Sequence, residues 1–212
     1  MTMINQSPVI AVEYRSNLTP FEPKIIESLN ALKKIPRSFL EIVALQEIKI
    51  IYFNGSITQF PEGQKIIKNT NKTYNTSNTW EKLQAYSVDS NDVRKKQRIN
   101  YPYLKSGDIY IGIHGEYMIH NMSDEEIMLH EMAHSIDKIV GPALFSQRIC
   151  HTPQFKEFRE QISIDENNIK ECFAFFFTWY YTGKSKAERT KQYYTELEKK
   201  AEEYLANKTL II

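Results

Sequence analysis

Two histidines four residues apart, His130 and His134, with Glu131 directly after the first, are the residues of this chain best placed to do chemistry together. On a helix, positions i and i+4 fall one turn apart on one face, so both imidazoles can reach a single metal ion. Glu131 is turned by about 100° from His130, which sets its carboxylate beside such an ion rather than among its ligands. From there it can take a proton from a metal-activated water. Zinc suits the donor set: it accepts imidazole and carboxylate, keeps one of four positions open, and lowers the pKa of its water to about 7. The bland alternative is a solvated helix face that carries two histidines and a glutamate.

The surrounding pattern argues for a helix that can hold such a site. Ser123-Asp124-Glu125-Glu126 has capping-box spacing, and Met122 and Ile127 occupy the staple positions on either side. Leu129, Met132, Ala133, Ile136 and Val140 then recur at helical spacing, a stripe that faces a core. Gly141-Pro142 is read as the stop, so a helix is expected over 123–140.

A third ligand must come from elsewhere. A metzincin would place a histidine at position 140 and a glycine at 137; the chain has Val140 and Asp137, which excludes that class. Asp137 lies near the face of His134 and is read either as a hydrogen-bonding partner that orients a ligand histidine or as a plain surface aspartate. For the ligand itself the best candidate is Glu171, which opens the nearly all-apolar run Glu171-Cys172-Phe173-Ala174-Phe175-Phe176-Phe177-Thr178-Trp179-Tyr180-Tyr181. Such a run reads as a buried helix, and a carboxylate at its entrance needs a partner. The competing explanation is local: Asn168 through Glu171 is a possible capping pattern, with Glu171 merely at the third helical position. Glu157, Glu160, Asp165, Glu166 and His151 are weaker rivals, set in more polar surroundings.

Leu129-His130-Glu131-Met132-Ala133-His134-Ser135-Ile136-Asp137, followed by Lys170-Glu171-Cys172-Phe173-Ala174, resembles the protease domain of anthrax lethal factor and the related bacterial Pro-Pro endopeptidases. The similarity extends over residues 20 to 182, through a helix running into Lys34-Ile35-Pro36 and two later strands, but only the two short motifs are specific. It implies His130, His134 and Glu171 as zinc ligands and Glu131 as general base. The family also places a tyrosine seven residues before the third ligand, where its hydroxyl stabilises the oxyanion. Here that position is Ile164, and no tyrosine lies between Tyr117 and Tyr180. His151 is a weak substitute. Loss of one oxyanion donor costs about 10²–10³ in turnover. The resemblance therefore implies a zinc metalloendopeptidase, with a catalytically weak or inactive zincin-fold module that binds a protein partner as the alternative.

The elements that must position these residues are legible in outline. Residues 1–19 read as an arm or edge strand, and Thr19-Pro20 as a helix start, with Ile25, Leu29 and Leu32 on one face. A second helix is expected over Ser38 to Ala44. Ile48 to Phe53 and Asp108 to His114 read as strands; the latter, just before the motif helix, is expected to be the edge along which an extended peptide substrate adds. Residues 56 to 95, rich in Asn, Thr, Ser and Gln, resist assignment. Ser185 to Asn207 reads as an amphipathic helix with Tyr194, Leu197, Ala201 and Tyr204 on one face.

The 212 residues are expected to form one domain over 1–212: the arm (1–19), a helix and strand part (20–122), and a helical part with the zinc site (123–212). The fold class is α+β, a zincin-like metallopeptidase with a small mixed sheet above an active-site helix. With 27 basic and 26 acidic side chains, there is no overall field to attract nucleic acid, and the run Arg94 to Arg98 is read as a solvated loop, so no nucleic-acid partner is expected. No window approaches the ~18 apolar residues of a membrane span. Met1 to Thr19 lacks the pattern of a signal peptide; the resemblance implies a secreted protein, and a cytoplasmic one stays open. Cys150 and Cys172 are expected to be two free, buried thiols.

Overall fold

The computed structural model describes residues 10–55, 59–60, 85–88, 105–113, 122–162 and 168–209. Within these, four strands and six α-helices surround one apolar cluster that runs from Ile25 to Ala201. The strands are β1 (Ala11–Tyr14), β2 (Lys49–Phe53), β3 (Ala85–Ser87) and β4 (Ile109–Gly112). The helices are α1 (Pro23–Ala31), α2 (Arg37–Ala44), α3 (Asp124–Phe145), α4 (Pro153–Ile162), α5 (Ile169–Tyr181) and α6 (Glu188–Thr209).

The sheet order is β1-β2-β4-β3. β1 and β2, and β2 and β4, pair parallel, whereas β3 joins β4 antiparallel, Tyr86 opposite Tyr110. The strand expected at the edge therefore lies inside the sheet. All four residues of β4 are buried, as a strand covered on both faces requires. Among the described residues the border on that side is β3, from the segment that carries little sequence signal. At the opposite border, β1 fulfils the expectation of an N-terminal edge strand.

α1 starts at Pro23, not at Pro20: Thr19 to Glu22 form a turn, and Pro23 occupies the first helical position, where its missing N–H costs nothing. α3 begins as expected, with the Ser123 hydroxyl accepting from the Glu126 N–H at 3.2 Å and the Glu126 carboxylate accepting from the Ser123 N–H at 3.2 Å. Its end is different. The helix continues through Gly141-Pro142 to Phe145 and stops at Ser146, whose φ of 59° is left-handed. The glycine is there for proximity rather than termination. A Cβ on Gly141 would stand 2.5 Å from the Ile149 nitrogen and 2.7 Å from the Gln147 oxygen, because the chain folds back against the helix at that point.

α3 lies at the centre, packed against α1 and α5 and beneath β3 and β4. Ion pairs fix its first turn, Lys34 to Glu125 and Lys184 to Glu126, each at 2.5 Å. α6 packs Tyr194, Leu197 and Ala201 into the core, with Tyr204 half-buried. Cys150 and Cys172 are free and buried, as their apolar setting suggested. Among the described residues, no helix is long and apolar enough to cross a membrane. The Arg94 to Arg98 run, His114 and Ile164 lie outside the described residues.

Candidate metal centre

His130 and His134 project from successive turns of α3, their rings 4.8 Å apart and nearly perpendicular. Glu171, in the first turn of α5, faces them across the helix pair. Its two oxygens divide between the two histidines: Oε2 lies 3.0 Å from His130 Nε2, and Oε1 lies 3.3 Å from His134 Nε2. Asn168 does cap α5, its side chain accepting from the Lys170 N–H, but the Glu171 carboxylate does not turn back to complete a capping box. It is committed to the imidazoles.

The donor atoms of His130, His134 and Glu171 all lie within 4.8 Å of one another. Ligand atoms about 2.0–2.1 Å from zinc stand roughly 3.3–3.4 Å apart at tetrahedral angles; each imidazole already has one Glu171 oxygen at about that separation, although a different oxygen in each case. The types also match, two imidazole nitrogens and one carboxylate oxygen. His130 and Glu131 are each 6% exposed, whereas the His134 and Glu171 side chains are 14% and 36% exposed. The cluster thus has a buried floor and an open side.

Electrostatics reflect the crowding. Burial alone would lower the His130 pKa; the hydrogen bond to Glu171 and the charges of Glu131 and Glu171 outweigh it and hold the imidazole raised. Burial would raise Glu171, but its bonds to both histidines hold it well below the usual carboxylate range. The carboxylate is thereby kept ionised and available as a ligand.

Asp137 takes neither of its expected places. It is 1% exposed, hence no surface residue, and its hydrogen bonds reach neither histidine. Oδ1 accepts from the Cys150 N–H at 2.8 Å, Oδ2 from the Cys150 thiol at 3.4 Å, and Arg148 stands 3.6 Å away. It ties the returning chain to α3. His151 is exposed in the 3-10 turn Ile149–His151, and its described contacts do not reach the cluster, so it is not placed as an oxyanion donor. Glu157 and Glu160, on α4, also lie outside the metal-competent group.

Two features escaped the sequence reading. Phe175 packs its ring 4.8 Å from the His130 ring; its position four residues after Glu171 was the available signal. Ser135 and Lys138, one and four residues past His134, bind the edge strand. Ser135 Oγ donates to the Gly107 carbonyl at 2.8 Å and meets Ser87 Oγ at 2.9 Å, and Lys138 Nζ donates to the Ser87 carbonyl at 3.0 Å.

The profile of the family described as anthrax toxin lethal factor, N- and C-terminal domain, matches residues 19–201. The structure is similar to that of the Pro-Pro endopeptidase PPEP-2 from Paenibacillus alvei, with a TM-score of 0.57 and 17% identity over 92% of this chain and 96% of that one. Among curated proteins, none matches.

Proposed function

We propose, from the membership of this chain in the anthrax toxin lethal factor family, that it is a zinc-dependent metalloendopeptidase. The observation that carries the proposal is the single carboxylate of Glu171 spanning both imidazoles of the H-E-x-x-H turn. His130, His134 and Glu171 would hold the ion. Zinc bound there supplies Lewis-acid polarisation of a scissile carbonyl and a water with a pKa near 7. Glu131, adjacent to His130 but not in the ligand group, accepts the proton of the attacking water and returns it to the leaving amine.

The substrate is a protein or peptide bound in extended form. Of the two border strands among the described residues, β3 is the one packed against α3, and the substrate would add there by main-chain hydrogen bonds. The non-catalytic alternative keeps its motivation in Ile164, where the family has a tyrosine. One experiment separates the two: the zinc-loaded protein and its Glu131→Gln variant, incubated with a peptide library. Cleavage by the wild type, lost in the variant and lost to chelator, is the expected outcome. Stoichiometric zinc with no cleavage of any peptide refutes the enzyme.

A further inference from the structure

β3 is tied to the metal-bearing helix at one point, and that point also closes its open side. In the pairing with β4, Val88 donates to the Asp108 carbonyl at 2.8 Å and Tyr86 faces Tyr110. Antiparallel strands alternate the direction of their main-chain groups. The N–H and C=O of Ala85 and Ser87 therefore point away from β4, towards whatever adds to the edge. At Ser87 that outward carbonyl is already occupied: Lys138 Nζ donates to it at 3.0 Å, to Ser87 Oγ at 2.8 Å and to the Val88 carbonyl at 2.8 Å. Beneath it, Ser135 Oγ joins Ser87 Oγ to the Gly107 carbonyl and to the carbonyl of Glu131 at 3.3 Å. Ser135 follows His134 directly, so this knot fixes the edge strand to the very turn that carries a candidate ligand and the candidate base.

We propose that Lys138, held with Ser135 on Ser87, is a register stop: an extended substrate pairs with β3 at Ala85 and cannot continue past Ser87. A substrate N–H arriving opposite Ser87 would meet an ammonium donor instead of a free carbonyl. The stop stands at a fixed distance along α3 from His134 and thus sets which peptide bond comes to rest over the metal cluster. Lys138 is in this sense a positioning residue, and the inference rests on the substrate path proposed above.

The test uses the full zinc-loaded chain and its best peptide. Lys138→Met should lower kcat and KM together by about tenfold at the wild-type bond, with kcat/KM there nearly unchanged, because registers that the stop excluded now bind without productive turnover at that bond. It should also add secondary cleavage sites beside the single wild-type one, and Lys138→Arg should restore the single site. A folded Lys138→Met protein with the wild-type KM and one unchanged cleavage site overturns the proposal. Amide hydrogen exchange gives an independent measure that needs no Lys138 variant. Peptide bound to the Glu131→Gln protein should protect the Ala85 amide and leave the Ser87 amide exchanging; protection of both overturns the register stop. Wild type that cleaves nothing while this exchange pattern holds refutes the peptidase alone. Turnover with both amides protected refutes the stop alone, and a protein that neither binds nor cleaves refutes both.

Discussion

Gly141→Ala is a substitution whose sign the structure reverses. In a helix interior, alanine is favoured over glycine by about 1 kcal/mol, and Gly141 lies inside α3. A Cβ there, however, would sit 2.5 Å from the Ile149 nitrogen, 2.7 Å from the Gln147 oxygen and 2.9 Å from the Arg148 carbonyl carbon. All three are backbone atoms and cannot rotate aside. Ordinary contact begins at 3.4 Å, so the returning chain must retreat by about 3.4 − 2.5 = 0.9 Å at Ile149. The next residue donates its N–H to Asp137 at 2.8 Å; a shift of that size carries it out of hydrogen-bonding range. Overpacking costs about 1–3 kcal/mol, and a buried carboxylate deprived of its donor about 1–3 more. Set against the helix-propensity gain, the net is a loss of about 1–5 kcal/mol. For a domain of this length, that lowers Tm by about 2–20 °C. Thermal unfolding followed by circular dichroism, with urea midpoints as a second measure, reads it directly. An unchanged or raised Tm would refute the packing argument and restore the ordinary propensity rule.

Three further outcomes follow from the same geometry. Asp108 is 3% exposed, and burial, against bonds from the Lys49 and Lys105 backbone, pushes its carboxyl from 3.8 up to about 6. Because the folded pKa is the higher, the group's favourable contribution is lost as pH rises through about 6. The stability of Asp108→Asn relative to wild type should then increase by about 2 kcal/mol between pH 4 and pH 8, and a constant difference in urea titrations would contradict it. Asp137→Ala leaves the Cys150 N–H and Arg148 without their carboxylate and should cost about 2–4 kcal/mol in urea unfolding. Its zinc affinity should fall by less than the 10–100-fold expected of a partner that orients a ligand histidine. Zinc at about 100 times its Kd should stabilise the protein by about 2.7 kcal/mol, seen as a rise in Tm. Glu171→Ala should abolish that rise, and persistence of the full shift would remove Glu171 from the ligand set.

What was legible in the sequence was what local rules decide. Ser123, Glu126 and the apolar stripe from Leu129 to Val140 specify α3 without help from distant parts, and the four-residue spacing of His130 and His134 places both rings on one face whatever the fold. Glu171 needed one non-local step, and the need of a carboxylate for a partner at the mouth of an apolar helix supplied it. The failures come where a residue is chosen for something far away in the chain. Gly141 reads as a stop signal because nothing in its neighbourhood tells of the backbone at Gln147 to Ile149 lying against it. Asp137 reads as a companion of His134, yet its partner Cys150 lies 13 residues on. β3 is only three residues long and is a strand by virtue of β4, not of its own composition. The misplaced edge is a different failure, because the contrary signal was present. Ile109-Tyr110-Ile111-Gly112-Ile113 is a continuous apolar run rather than an alternating one, and a strand with one face in water would alternate. Once that run is placed inside the sheet, the border strand beside α3 among the described residues is β3. Lys138, four residues after His134, donates to the Ser87 carbonyl on that strand and is the group proposed to limit how far along it a peptide can pair.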